Sequence, residues 1–425
     1  MIGDRDAGRG QPAFSRTAVA LIASLALAAC RTPNVAPQPV GASLATRPAR
    51  TPMDTLVAHA LRYSATKLAA SADGLDPANG WPRITKPDGA WTQQPVTQWT
   101  SGFFPGTLWY MYDLTREPTW RARAERWTAG IESAKTRTNT HDLGFLVMDS
   151  FGQGYRLTGD PHYRDVVLTA SRSLATRYDP KVGAIRSWDT DRFTDRRKDW
   201  QFAVIIDNMM NLEMLFEAAK WPGGDPRWAA IATRHAETSL ARHVRPDAST
   251  AHVAAFDTTT GAFRFTTTWQ GYADSSAWAR GQAWAVYGFT VAYRETRRPE
   301  FLDGAQRTAD WFIAHLPPDA VPYWDFRHPN IPNTERDASA AAIAASGLFE
   351  LAQLTGGAKG GGYRAAAERI LASLATRYTS EGSPNASILL HSVGQRPQGA
   401  EIDVGIVYAD YYFVEALVRY ERSRR

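Results

Sequence analysis

Ala338-Ser-Ala-Ala-Ala-Ile-Ala-Ala-Ser346 is small or apolar at every position. A helix with no polar face has no face to give to water, so it is buried on all sides. The region 118–136 reads differently, because Arg121, Arg123, Glu125 and Arg126 mark a charged outer face. Working outward, apolar residues at i, i+3, i+4 and i+7 predict helices near 53–71, 103–116, 118–136, 143–157, 161–176 and 203–219. Six more follow near 226–243, 276–295, 300–315, 337–355, 361–378 and 405–422. The helices at 103, 143, 203, 276, 337 and 405 share the all-round apolar character, and those between them carry charged faces. No run shows sustained strand alternation. Six amphipathic helices alternating with six buried ones predict an all-α fold, a six-fold α/α barrel (toroid) of twelve helices.

The loops add a second regularity. Inner helices pass to outer ones through short connections such as Arg116-Glu-Pro118 and Gly159-Asp-Pro161. The return connections are long: 72–102, 177–202, 244–275, 316–336 and 379–404. Long loops in a compact domain usually carry function. All of these open at one end of the ring, where the inner helices begin. Trp99, His141, Asp142, Trp188, Asp207, Asn208, His252, Gln270, Asp274, Arg280, Asp337 and Asp403 fall at that end. One funnel-shaped site is therefore expected there.

The N-terminus reads as an export signal. Arg5, Arg9 and Arg16 precede the apolar stretch 18–27, which is too short to span a bilayer. The stretch ends in Leu27-Ala28-Ala29-Cys30, and Cys30 is the single cysteine among 425 residues. This pattern resembles a bacterial lipoprotein signal. It implies removal of residues 1–29, lipidation of Cys30 and a membrane anchor facing the periplasm. The Pro-, Ala- and Thr-rich stretch 30–50 reads as a flexible tether, leaving 51–425 as the α/α-barrel domain. A formal charge of +5 without a Lys/Arg block excludes a nucleic-acid partner, and no protein partner is indicated. Fifteen Trp, against sixteen Tyr and seventeen Phe, suit either carbohydrate contact or aromatic helix packing.

Gln270-Gly-Tyr-Ala-Asp-Ser-Ser-Ala-Trp-Ala-Arg-Gly-Gln-Ala-Trp284 places aromatics, an acid, an arginine and two amides at one helix mouth. Rings stack on the apolar faces of sugars, and a guanidinium forks onto carboxylates. Arg280 can pair with Asp274 or help hold a sugar, and the flanking Trp278 and Trp284 favour the second. Two acids stand out. Asp142 opens an inner helix, and Asp207 sits in Val204-Ile-Ile-Asp-Asn-Met-Met-Asn-Leu212. A carboxyl among Val, Ile and Met is desolvated, so its pKa should rise, and a second carboxylate nearby raises it further. No metal-ligand spacing, phosphate loop or Gly-x-Ser-x-Gly elbow is present.

Trp99-Thr-Ser-Gly-Phe-Phe-Pro-Gly106, His141-Asp-Leu-Gly-Phe145, Ile206-Asp-Asn-Met-Met-Asn211, Ala273–Trp284 and Tyr408–Leu417 together resemble the unsaturated glucuronyl hydrolases of glycoside hydrolase family 88. The likeness spans roughly residues 53–422, with Phe104 and Ala409 as small departures. It implies removal of a 4,5-unsaturated uronic acid from the non-reducing end of oligosaccharides made by polysaccharide lyases, without metal or organic cofactor. It implies Asp207 as general acid and base and Asp142 as its partner carboxylate. It further implies Trp99, Trp188, Trp278 and Trp284 as stacking residues, with His141, Asn208, His252, Gln270 and Arg280 as polar contacts. Two other readings are a non-catalytic glycan-binding lipoprotein, which needs no buried acid pair, and an unsaturated rhamnogalacturonyl hydrolase. The latter's motif usually reads Arg-Gly-Asn, where this chain has Arg280-Gly281-Gln282.

Overall fold

Proline sets the start of five outer helices. In the computed structural model, which describes residues 51–424, these are α1 (Pro52–Gly74), α3 (Pro118–Ala129), α5 (Pro161–Ala175), α7 (Pro226–His243) and α9 (Pro299–Ala314). Proline suits the first helical position because its missing N–H would be unpaired there anyway. Thr51, Asp160 and Asp225 cap three of them by accepting backbone N–H groups. The sixth outer helix, α11 (Gly357–Arg377), lacks the proline and starts four residues before the expected 361. Each short inner-to-outer connection turns through the left-handed region just before this start. At Gly159 (φ 70°) glycine takes that conformation without a Cβ clash.

The inner elements are α2 (Phe103–Thr115), α4 (Gln153–Thr158), α6 (Leu212–Lys220), α8 (Ala279–Thr296), α10 (Ala338–Thr355) and α12 (Val407–Ser423). A π-helical segment, Gly144–Gly152, runs into α4, and a 3₁₀ segment, Ile206–Asn211, runs into α6. Neighbours pack in chain order, and α12 closes the ring on α2. The expected α/α barrel of twelve helices is the observed architecture. α10 shows why small residues were needed. It packs on α8, α11 and α12 at once, and a Cβ on Gly347 would meet the Tyr287 backbone at 3.1 Å. Among the described residues it is also the one helix long and apolar enough to cross a membrane, yet it is buried inside the ring.

The reading without strands needs correction. β1 (Trp81–Thr85) and β2 (Trp91–Gln94) form one hairpin, and β3 (Tyr178–Asp179) and β4 (Ala184–Ile185) a second. β5 (Trp188–Asp189), β6 (Phe202–Ile205), β7 (Val253–Phe256) and β8 (Phe263–Thr267) form an antiparallel sheet in that order. β6 and β7 are buried at every position, so they show no alternation for a period-2 test to find. For the same reason the helix expected over 203–219 begins as strand and turns helical only at Ile206. Helix 118–136 is likewise α only to Ala129 and 3₁₀ from Gly130 to Thr136. The described residues 51–424 fall within one compact unit. The signal (1–29), Cys30 and the whole tether (30–50) lie outside the described residues.

Candidate functional site

The four-stranded sheet is a bracket for the site. Trp188 opens β5, and β6 runs directly into the turn that carries Asp207. His252 immediately precedes β7, and β8 ends just before Trp269 and Gln270. Backbone bonds lock these ends together: Ile206 N–H donates to the His252 carbonyl at 3.0 Å, and Ile205 N–H donates to Ser187 Oγ at 2.9 Å. These five side chains, from segments distant in sequence, are thereby fixed relative to one another.

Trp188, Asp207, Trp269 and Gln270 face a cavity of about 170 Å³, whereas the expected contact His252 is buried at 3% exposure and is not on its wall. Of the expected residues, Trp99, His141, Asp142, Trp188, Asp207 and Gln270 line it. Phe145, Arg197, Ile205, Trp269 and Gln395 complete the wall and were not anticipated. Arg197 sits in a loop of alternating charges that reads as solvated surface, but its guanidinium lies 3.6 Å from the Phe193 ring and 3.9 Å from that of Trp269. Trp269 directly precedes Gln270, and its aromatic side chain beside a candidate polar contact was the one available signal.

Asp207 is 7% exposed. Burial pushes its carboxyl up to about 7, with the Asp142 charge adding to the rise and Arg280 opposing it. Asp142 is held in place: Oδ2 accepts from Thr140 Oγ1 at 2.8 Å, and Oδ1 lies 3.3 Å from His141 Nε2. Burial lowers the pKa of that histidine, so it is neutral near pH 7. The site therefore couples a carboxyl able to hold a proton near neutrality with a second carboxylate of fixed geometry. That pairing can donate a proton to a substrate and stabilise positive charge.

Other expectations are corrected by depth. Trp278 and Trp284 do not reach the cavity wall. Trp278 packs on the His252 ring with centroids 4.7 Å apart, and Trp284 on Phe145 and Tyr412 at 5.5 and 5.4 Å. Asn208 is fully buried and donates to the Ile185 carbonyl at 3.0 Å. Arg280 pairs with Asp337 at 3.5 Å, whereas Asp274 accepts from Thr267 Oγ1 and Thr268 N–H. Arg280 also donates to the Val393 and Gly394 carbonyls, which pins the loop carrying Gln395. Gln270 Nε2 donates to the same Gly394 carbonyl at 3.2 Å. Asp403, exposed and 2.6 Å from His391, is not on the wall.

Larger cavities lie elsewhere, one of about 610 Å³ among Arg172, Asp225, Arg227 and Trp228 at the outer helices α5 and α7. A cavity of about 450 Å³ opens among Asp149, Glu213, Arg294, Glu350, Glu415 and Arg419, toward the C-terminal ends of the inner helices. There Arg294 binds Glu213 and Glu350, and Arg419 binds Glu350 and Glu415. That network reads as the barrel's charged closure, and the smaller cavity is the one lined by Asp207 and Asp142.

No family model matches the chain. The chain is 45% identical over 330 residues to the unsaturated glucuronyl hydrolase of Formosa agariphila, covering 76% of this chain and 80% of that protein. It is 34% identical over 336 residues to the unsaturated chondroitin disaccharide hydrolase of Streptococcus pneumoniae, covering 77% and 83%. A crystal structure of an unsaturated glucuronyl hydrolase specific for heparin matches with a TM-score of 0.82 at 40% identity, over 87% of this chain and 98% of that one. The enzyme of Bacillus sp. GL1 matches with a TM-score of 0.79 at 30% identity, over 87% and 97%. With likeness in sequence over 80% and 83% of the two curated relatives, and in barrel over 98% and 97% of the two solved ones, the chain belongs to the unsaturated glucuronyl hydrolase family.

Proposed function

We propose that this glycosidase removes a 4,5-unsaturated uronic acid from the non-reducing end of lyase-generated oligosaccharides, with Asp207 as acid and base. The observation that carries the reading is the buried Asp207 carboxyl, raised to about 7 and set in a cavity with Asp142 and aromatic walls. The substrate is a vinyl ether. Asp207 gives its proton to C4, and the π pair forms the new C4–H bond. Positive character then develops at C5 and the ring oxygen, where Asp142 stabilises it. A water adds to C5 and returns a proton to Asp207, so the enzyme ends as it began. The hemiketal opens and the aglycone leaves. Trp99 and Trp188 offer ring faces to the sugar.

The test is to incubate purified protein with unsaturated disaccharides and follow the ultraviolet absorbance of the conjugated acid. Loss of absorbance with release of the aglycone is expected; an unchanged spectrum sinks the reading. Hydrolysis of the saturated analogue at a similar rate would point to an ordinary hydrolase instead.

The acid pair has a pH signature. Turnover should fall as pH rises through the Asp207 value, because the proton donor is lost. Asp142→Asn removes a charge that holds the Asp207 proton on, so the basic limb of kcat should move to lower pH. A limb that stays in place or moves up would separate the two acids.

The chain is further proposed to be exported and anchored to a bacterial membrane, facing the periplasm, through lipid on Cys30. Support comes from the basic segment, the short apolar stretch and the single cysteine that follows it. Cys30→Ala should leave the protein in the soluble fraction. Wild type without acyl label, and a variant that still sediments with membranes, would overturn the anchor.

A further inference from the structure

The His252 ring is held in one tautomer. Trp269 N–H and Gln270 N–H both point at Nδ1, at 3.0 and 3.2 Å. A ring nitrogen that accepts hydrogen bonds carries no proton, so in the neutral ring the proton sits on Nε2. The ring is neutral: burial holds its pKa well below the usual range, and His243, Arg280, His141 and Arg196 add to that effect. The contact with Asp207 is therefore not an ion pair. Nε2 lies 3.7 Å from Asp207 Oδ2, and neither atom has a hydrogen-bond partner among the described residues. Oδ2 is buried, whereas the Asp207 side chain keeps 10% exposure and lines the cavity. The exposed oxygen is thus Oδ1.

We propose that His252 is a positioning residue, whose Nε2–H meets Oδ2 of the ionised Asp207 and leaves Oδ1 as the oxygen that exchanges the proton with substrate. The proposal rests on Asp207 being the acid and base of the hydration reaction. At 3.7 Å the contact is too long for a hydrogen bond at rest. It tightens when Asp207 ionises, as catalytic contacts commonly do in the working complex. A donor that favours the carboxylate makes Asp207 a stronger acid at the moment C4 takes the proton. The other groups facing the pair are Arg280, Asp142 and the Trp284 indole on Asp207, and His243, His141 and Arg196 on His252. None of them is altered in the test below.

Two amide substitutions separate the nitrogens. His252→Asn ends near the Nδ1 position, where its oxygen can still accept from Trp269 and Gln270, but it loses the donor to Asp207. His252→Gln reaches the Nε2 position and keeps a donor. The probe is the unsaturated chondroitin disaccharide, with kcat and KM measured against pH on the full chain, beside melting curves. His252→Asn should fold, keep KM within about 3-fold, lower kcat by about 10- to 100-fold and move the basic limb up by about one pH unit. His252→Gln should restore most of the kcat and return the limb toward wild type. A limb unmoved in His252→Asn, or an effect confined to KM or to the melting temperature, overturns the proposal while the hydration reading stands. A wild-type enzyme that leaves the disaccharide intact removes both.

Discussion

Asp207→Asn is expected to lower kcat by about 10²- to 10⁴-fold, the usual contribution of a positioned acid or base, with KM nearly unchanged. Asparagine has the same shape but no acidic proton to give to C4, so the loss falls on the chemical step and not on uniform binding. Retention of more than about a tenth of wild-type activity, roughly 1.4 kcal/mol of barrier, would take Asp207 out of the role. The same variant carries a stability signature. The folded carboxyl titrates at about 7, above the unfolded value near 4. Between those limits the unfolded chain releases a proton that the folded chain keeps, so wild type loses stability as pH rises from about 4 to about 7 and no more above it. Asparagine has no such titration. Its melting temperature relative to wild type should rise across that window and level off beyond it. A difference that is flat with pH would show that Asp207 is not buried as described.

Arg280→Ala is expected to produce the largest fall in stability, about 3–5 kcal/mol, because it breaks a buried pair from one side. Arg280 is 1% exposed and Asp337 0%. Burial already raises the Asp337 carboxyl against the pull of Arg280, so the bare acid left behind must take up a proton or stay charged in a dry site. The Val393 and Gly394 carbonyls lose their donors as well. A fall in melting temperature on the order of 10 °C should follow, with activity reduced because the loop carrying Gln395 is freed. Arg280→Lys keeps the charge but cannot fork onto two carbonyls, so it should also melt lower. The segment alone favours Arg280 as a sugar contact, a role that would instead lower turnover at nearly constant stability. Arg280→Met combined with Asp337→Asn should recover part of the loss, since no unpaired charge remains. A melting temperature within about 2 °C of wild type for Arg280→Ala would show the pair to be dispensable.

Much of this molecule was legible in its chain order. Five of the outer helices carry their own starts in a proline at the first position, and three of these have Thr51, Asp160 or Asp225 as a cap before it. The inner helices carry their burial in composition, as α10 does. Those signals are local: the residues that make them lie within a turn or two of one another, and the ring follows from alternating the two kinds. The acids were legible for the same reason, since the apolar neighbours that desolvate Asp207 flank it directly in sequence.

What the chain order did not settle is which way each buried group faces. Trp99, Trp188, Trp278 and Trp284 look alike in sequence, yet Trp99 and Trp188 line the cavity while Trp278 and Trp284 are buried in the packing behind its wall. Arg280 took Asp337, 57 residues on and 3.5 Å away, over the nearer Asp274. Arg197 and Trp269 joined the site from loops 72 residues apart, brought together by strands too short to announce themselves. Local pattern determined the barrel and its acids, because periodicity and flanking residues decide how deeply a residue is buried. Partners and orientation inside the site were decided only by tertiary packing, because they depend on which distant segment arrives on the other side.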